Sequence, residues 1–155
     1  MVNGFDPIQP HGAFHGIRVR HVLRGFLWDN GLSIVFSMLL ASHLLPNGLL
    51  ASSELEVDAV FASPEFNLLF LPVGLFCTAF GGYLAAMRCT GAEVKNAVAV
   101  GVASLLLGAT GFLVPSSAGY PPLWITVVGL ALLLPAAAAG GAFASNKKDP
   151  ERSGT

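Results

Sequence analysis

The chain has 155 residues, of which 54% are hydrophobic and 11% are charged, with a formal net charge of −1 at pH 7 and a mean hydropathy of +0.67. Soluble domains carry about 25% charged residues, so this composition excludes an ordinary soluble domain, and the nearly neutral net charge gives no reason to expect a nucleic-acid partner. Because a helix that crosses a bilayer needs about 20 apolar residues, the length accommodates four spans joined by short loops.

The N-terminal segment, residues 1–23, is polar and has no apolar stripe, which predicts a flexible cytoplasmic arm. Residues 26–45 then stay apolar for the length of one span, and the helix-breaking sequence at 46–48 ends it. A secretory signal peptide is the alternative, since basic residues precede this segment and residues 51–53 resemble a small-residue cleavage site. Its apolar core would be too long for a signal peptide.

The loop after the first span is acidic and contains no Lys or Arg between residues 47 and 63. Within it, Ser53 and Glu56 have the spacing of a capping box, in which each side chain bonds the backbone of the other residue. The loop is therefore predicted to carry a short surface helix over residues 55–62.

The second span begins with a helix start signal, because Ser63 can act as the N-cap and Pro64 takes the first helical position. This span is expected over residues 64–87. A further capping box at Thr90 starts the third span, which is expected over residues 93–114, before a helix-ending proline.

The fourth span, residues 121–145, opens with the interfacial aromatics Tyr120 and Trp124 and is followed by a polar cytoplasmic tail, residues 147–155. The four spans together predict an all-α fold. We expect an integral membrane four-helix bundle made of two helical hairpins, with the membrane domain covering residues 24–146.

All the basic residues are expected on one side of the membrane. They precede the first span, lie in the second loop or follow the fourth span: Arg18, Arg20, Arg24, Arg88, Lys95, Lys147, Lys148 and Arg152. By the positive-inside rule, both termini and the second loop are predicted to be cytoplasmic, and the acidic first loop faces outward. The sequence thus predicts a multi-pass protein of the bacterial inner membrane, with the lipid bilayer as its surroundings.

Small residues mark one face of the second span and one face of the third. The second-span stripe comprises Gly74, Thr78, Gly81 and Ala85, and the third-span stripe comprises Ala97, Gly101, Ser104 and Gly108. In lipid, helices associate where small side chains let their backbones approach closely. Since the short connecting loop makes these two spans antiparallel, the two stripes are expected to face each other.

Asp29 is the only acidic residue inside a predicted span, and an acid at membrane depth is a candidate functional group by default. Counted from the predicted start of the span at Phe26, it lies about 4.5 Å into the helix. That position is level with the interfacial residue Trp28. A carboxylate at this depth is expected to reach headgroup water or to pair with Lys95 or Arg88, and an ion or proton role is the competing hypothesis.

Other polar residues in the spans are further candidates. Asn30 and Ser33 follow Asp29 at helical spacing, which suits either a polar path or hydrogen bonds between helices. His43 is the only histidine in a span, and haem held between helices would ordinarily need a second axial ligand, so an interfacial position is expected. Cys77 has no neighbouring base and is expected to pack. No catalytic, cofactor-binding or metal site is predicted, and no cofactor is expected.

Three runs of sequence carry a resemblance. Residues 81–88 (GGYLAAMR), 91–101 (GAEVKNAVAVG) and 140–145 (GGAFAS) are similar to those of a group of uncharacterised small bacterial four-helix inner-membrane proteins. The resemblance covers the second to fourth spans. It implies a four-helix membrane fold and brings no catalytic residues with it.

These observations favour a non-enzymatic protein that acts through helix–helix association, as a homo-oligomer or with a membrane protein partner. The alternative is a small transporter or channel subunit that uses the polar face of the first span around Asp29. An enzyme acting on lipid or quinone is a third class, and it would require a bound cofactor.

Overall fold

The computed structural model describes residues 16–45, 48, 50, 52–110 and 121–148, and over those ranges its regular structure is entirely helical. Five helices follow one another along the chain: α1 (Val19–Leu44), α2 (Glu54–Ala62), α3 (Pro64–Ala86), α4 (Glu93–Thr110) and α5 (Leu123–Lys148). Four of them, all but the short α2, are long and apolar enough to cross a membrane.

Both N-terminal signals around α2 and α3 are observed. At the start of α2, the Ser53 hydroxyl accepts a hydrogen bond from the Glu56 backbone N–H, and the Glu56 carboxylate accepts one from the Ser53 backbone N–H. At the start of α3, the Ser63 hydroxyl accepts from the Phe66 backbone N–H, and Pro64 is the first helical residue. These local bonds satisfy N–H groups that have no partner within the helix.

The start of α1 differs from the predicted one. The helix begins at Val19 instead of Phe26, so residues 19–23, which were assigned to the flexible arm, are helical. Hydropathy marks the apolar part of a span, whereas Arg20 and Arg24 are accommodated in the helix because their side chains are exposed. Residues 1–15 of the predicted arm lie outside the described residues.

The ends of α4 and α5 also differ from the predicted spans. The described part of α4 ends at Thr110, and residues 111–114 lie outside the described residues. Helix α5 continues through Lys148 instead of ending near Ser145. Cations are favourable at the C-terminus of a helix, where the backbone carbonyls have no intrahelical partner, and this explains why the two lysines extend the helix instead of ending it.

The long helices alternate in direction. The Arg18 backbone N–H donates to the Asn96 side-chain oxygen (2.8 Å), which places the start of α1 beside the start of α4. Lys148 donates to the Ala86 carbonyl (3.1 Å), which places the end of α5 beside the end of α3. These four helix termini therefore lie at one end of the bundle.

Helices α3 and α4 form the centre of the bundle. Each contacts the other and also both α1 and α5, whereas α1 and α5 do not contact each other through their described residues. The buried positions are mostly small, such as Ala85, Ala97 and Ala137, and many large apolar side chains, including Leu27 and Leu106, face outward. Such an exterior is compatible with a bundle surrounded by lipid.

The two small-residue stripes do not face each other as predicted. A Cβ added at Gly81 of α3 would lie 2.7 Å from the Gly25 carbonyl oxygen of α1, and one added at Gly101 of α4 would lie 2.9 Å from the Ala137 Cβ of α5. Each central helix has several neighbours, so its small residues are divided among them. Gly81 and Gly101 therefore let the outer helices α1 and α5 approach the central pair.

The remaining stripe residues follow the same division. Ala85 lies against Gly25 of α1, and Ala97 lies against Gly141 of α5. Gly74 and Gly108 line an apolar cleft of about 440 Å³ between α3, α4 and α5. Thr78 and Ser104 contact Asp29 of α1.

Charge is separated along the bundle. We call the end that holds the start of α1, the α3–α4 turn and the end of α5 the basic end. It carries Arg18, Arg20, Arg24, Arg88, Lys95, Lys147 and Lys148, and among the described acidic residues only Glu93 is found there. The opposite end, with α2 and the start of α3, carries Glu54, Glu56, Asp58 and Glu65.

Candidate functional site

Asp29 lies deep in the bundle. It is ten residues after Val19, where α1 begins, or about 15 Å along the helix axis, and only 3% of its surface is exposed. Neighbouring helices therefore enclose the Asp29 side chain, while its depth near the head groups of the bilayer stays a prediction.

The carboxylate of Asp29 is bound by hydroxyl groups from two other helices. Thr78 of α3 donates from Oγ1 to Oδ1 (3.0 Å), and Ser104 of α4 donates from Oγ to Oδ2 (2.5 Å). Thr78 and Ser104 are also buried. We call these three residues the polar centre, and it connects α1, α3 and α4.

The predicted pairing of Asp29 with Lys95 or Arg88 is wrong. Both cations are exposed at the basic end. Among the described residues, one ion pair is formed, between Lys148 and Glu93 (3.5 Å). Within the part of the chain that the structure describes, Asp29 therefore has hydroxyl partners and no cationic partner. Burial of a charged carboxylate is costly unless it is paired, so this arrangement distinguishes Asp29 from a structural ion pair.

Close helix contacts bring the polar centre together. A Cβ added at Gly81 would lie 2.8 Å from the Asp29 Cβ, and one added at Gly25 would lie 2.9 Å from Cγ2 of Val100. The absence of side chains at these two glycines lets α1 approach both α3 and α4. The approach places the short Asp29 side chain within reach of hydroxyls on both helices.

The other predicted polar residues are placed differently. The Asn30 side chain donates to the Phe26 carbonyl of its own helix (2.8 Å), so it satisfies α1 locally. Ser33 lies beside the buried thiol of Cys77. His43 is exposed in the last turn of α1 and is far along the helix from the polar centre. Of the four residues of the predicted polar site, only Asp29 belongs to the polar centre.

Sequence reasoning assigned Thr78 and Ser104 to packing and missed their contact with Asp29. The available signal was their type, because they are the only hydroxyl residues in two stripes otherwise made of Gly and Ala. A hydroxyl at a small-residue position can pack closely and also hydrogen-bond to a neighbouring helix.

A second buried polar residue, Asn96, has a structural role. Its side chain is fully buried, accepts from the Arg18 backbone N–H and donates to the carbonyls of Gly16 (3.1 Å) and Ala92 (2.7 Å). It thereby attaches the chain entering α1 to the first turn of α4. All its bonds are to backbone groups, so it closes the basic end and offers no group to a ligand.

The polar centre can exchange a proton or offer oxygen atoms to a hard cation, since carboxylate and hydroxyl oxygens are the ligands that such cations prefer. Within the described residues, no group of three His, Cys, Asp or Glu side chains lies together as a metal site. Both cysteines are buried free thiols.

Comparison of the chain with protein-family models, with curated proteins and with solved structures finds no match. The function is therefore inferred from the residues and geometry described above.

Proposed function

We propose that the chain is a multi-pass protein of the bacterial inner membrane with both termini in the cytoplasm. Four helices of sufficient length and apolarity support the membrane placement. The collection of basic side chains at one end of the bundle supports the orientation, because Lys and Arg are retained on the cytoplasmic side.

We infer further that the protein is a small transporter or channel subunit that binds a proton or small cation at Asp29. The observation that carries this inference is the buried carboxylate held by hydroxyls of two other helices, with no paired cation among the described residues. Asp29 belongs to a helix that is long and apolar enough to cross a membrane. Ionisable groups buried between membrane-spanning helices commonly belong to ion or proton pathways.

The polar centre also suggests how binding would be coupled to movement. A proton or cation bound at the carboxylate competes with the hydroxyl hydrogen atoms of Thr78 and Ser104 for the same oxygens. Those hydroxyls belong to α3 and α4, so occupancy changes the bonds that hold α1 to both helices. The bound and free states would therefore favour different positions of α1.

Association through the small-residue faces receives less support from this geometry. Gly81, Gly101 and Gly141 are in contact with other helices of the same chain, so a partner would have to bind a different surface. Self-association stays a prediction. It is compatible with a channel subunit, since four helices with this packing enclose little space for a pore.

The test is ion flux through liposomes that contain the purified protein. Asp29→Asn keeps the size of the side chain and removes its charge and its titratable proton. Proton flux and Na⁺ flux are measured separately, with Glu65→Gln, an exposed acid at the start of α3, as the matched control. We expect one flux to be lost in Asp29→Asn and retained in Glu65→Gln.

A second variant separates loss of function from loss of fold. Ser104→Ala removes one hydroxyl donor and keeps the carboxylate, so it should change the affinity for the ion without abolishing flux. Melting in detergent reports whether each variant is folded. Unchanged fluxes in a folded Asp29→Asn protein, or no flux above empty liposomes in the unmodified protein, would refute the transport function.

A further inference from the structure

The basic end carries cations that have no partner among the residues that the structure describes. Six side chains are exposed there and form no ion pair or hydrogen bond with the described residues: Arg18, Arg20, Arg24, Arg88, Lys95 and Lys147. Lys148 differs, because it binds Glu93 and two backbone carbonyls. The six unpaired cations are therefore available to an external anion.

Two of these cations are placed together on the outer face of α1. Arg20 and Arg24 are four residues apart, so their Cβ atoms are separated by about 5–6 Å along one face of the helix. Both side chains are exposed. Two guanidinium groups at this spacing can contact the oxygens of a single phosphate, which suits the planar donor geometry of arginine.

The same face continues into an apolar surface. Leu23 is 54% exposed, Leu27 is 61% exposed and Trp28, one turn beyond Arg24, is 47% exposed. An arginine pair beside exposed leucine side chains and a tryptophan offers a charged contact to a head group and an apolar contact to the chains attached to it. Tryptophan favours the boundary between head groups and hydrocarbon, which is the depth that this arrangement requires.

We propose that Arg20, Arg24 and Trp28 form a binding site for the phosphodiester head group of an anionic phospholipid. The proposal rests on the membrane placement and is independent of the function inferred for Asp29. Anionic lipid is favoured over a soluble phosphate compound because the apolar face of α1 continues directly from the arginine pair. Each Lys or Arg near an anionic membrane surface increases the affinity of a protein for that surface by about fivefold. The arginine pair should therefore bind an anionic lipid roughly 25-fold more tightly than a neutral lipid.

The two tryptophans of the chain allow a site-resolved test. Trp124→Phe leaves Trp28 as the single reporter at the arginine pair, and Trp28→Phe leaves Trp124 as a matched reporter at the opposite end of the bundle. Full-length protein is reconstituted in phosphatidylcholine vesicles that contain a minor fraction of brominated phosphatidylglycerol, which quenches tryptophan fluorescence on contact. We expect stronger quenching of Trp28 than of Trp124, and no such difference with brominated phosphatidylcholine.

Variants then identify the groups that bind the lipid. The double variant Arg20→Gln/Arg24→Gln should remove the excess quenching of Trp28. Lys147→Gln removes a cation of α5 at the same basic end and should leave the quenching of Trp28 unchanged. Inorganic phosphate should not displace the lipid, and its ability to do so would identify a site for free anions instead. Equal quenching of the two tryptophans by brominated phosphatidylglycerol overturns the proposal even if the double arginine variant fails to fold.

Discussion

Replacing Gly140 by alanine tests whether backbone contact between α3 and α5 holds the bundle together. The added Cβ would meet the Ala79 peptide group directly, lying 2.8 Å from its carbonyl carbon and 2.9 Å from the backbone nitrogen of Tyr83. These are main-chain atoms of α3, so no side-chain rotation can relieve the contact. The helices must instead move apart.

The size of the effect follows from these distances. Ordinary contacts between carbon atoms lie at about 3.5–4.0 Å, so a separation of 2.8 Å requires α5 to move by about 0.7 Å or more. Overpacking of this kind costs about 1–3 kcal/mol. Alanine is otherwise the better helix former than glycine by about 1 kcal/mol, and the matched variant Gly31→Ala, with no atom within 4 Å of its added Cβ, isolates that gain.

The assay is unfolding in mixed micelles, with the free energy of unfolding measured for both alanine variants and the unmodified protein. We expect Gly140→Ala to be about 1–3 kcal/mol less stable than Gly31→Ala, which is the packing cost alone, since the gain in helix propensity is common to both variants. If Gly140→Ala unfolds at the same denaturant fraction as Gly31→Ala, α3 and α5 are not in backbone contact and the description of the bundle is wrong.

Two further predictions concern the two ends of the molecule. Lys148→Met should lower the free energy of unfolding by about 1 kcal/mol, because it removes the hydrogen bonds to the Ala86 and Cys89 carbonyls. Lys147→Met, at the exposed neighbouring residue, should leave the stability unchanged. Equal melting temperatures of the two variants in detergent would contradict this prediction. At the start of α2, hydrogen bonds from the Ser53 backbone and hydroxyl lower the pKa of Glu56. At pH values above the ordinary Glu pKa, the ionised carboxylate therefore stabilises the capping box. This stabilisation is lost as the pH falls through the lower pKa of Glu56 in the folded protein. An NMR titration of the Ser53 amide should show this transition in the unmodified protein and none in Glu56→Gln.

The sequence was sufficient to predict the four long helices, the short α2 and the start signals of α2 and α3. Ser53 and Ser63 are recognisable as caps because a cap depends on residues a few positions apart, and the length of an apolar segment follows from bilayer thickness alone. The start of α1 was harder, since hydropathy does not distinguish an arginine outside a helix from an exposed arginine within one. The burial of Asp29 could not be read from α1 alone, because the residues that enclose it, such as Thr78 and Ser104, are distant in the sequence.

The partners of the small residues could not be read from the sequence. Spacing places Gly81 and Gly101 on defined faces of their helices but does not identify the neighbour opposite each face. The adjacent glycines of α3 illustrate the difficulty. Gly81 contacts α1 and Gly82 contacts Ala137 of α5, because successive residues of a helix point about 100° apart. One sequence motif therefore serves two interfaces, and only the three-dimensional arrangement assigns them.

The position of Lys148 has a consequence for how the protein is made. Its ammonium group binds the carbonyls that end α3 and the carboxylate that begins α4, yet it belongs to the final turn of α5. During synthesis from the N-terminus, the ribosome completes the first three long helices before this lysine exists. Until α5 has been inserted, those carbonyls must be hydrated by water, so this end of the bundle is closed only after α5 joins the helices that were translated before it.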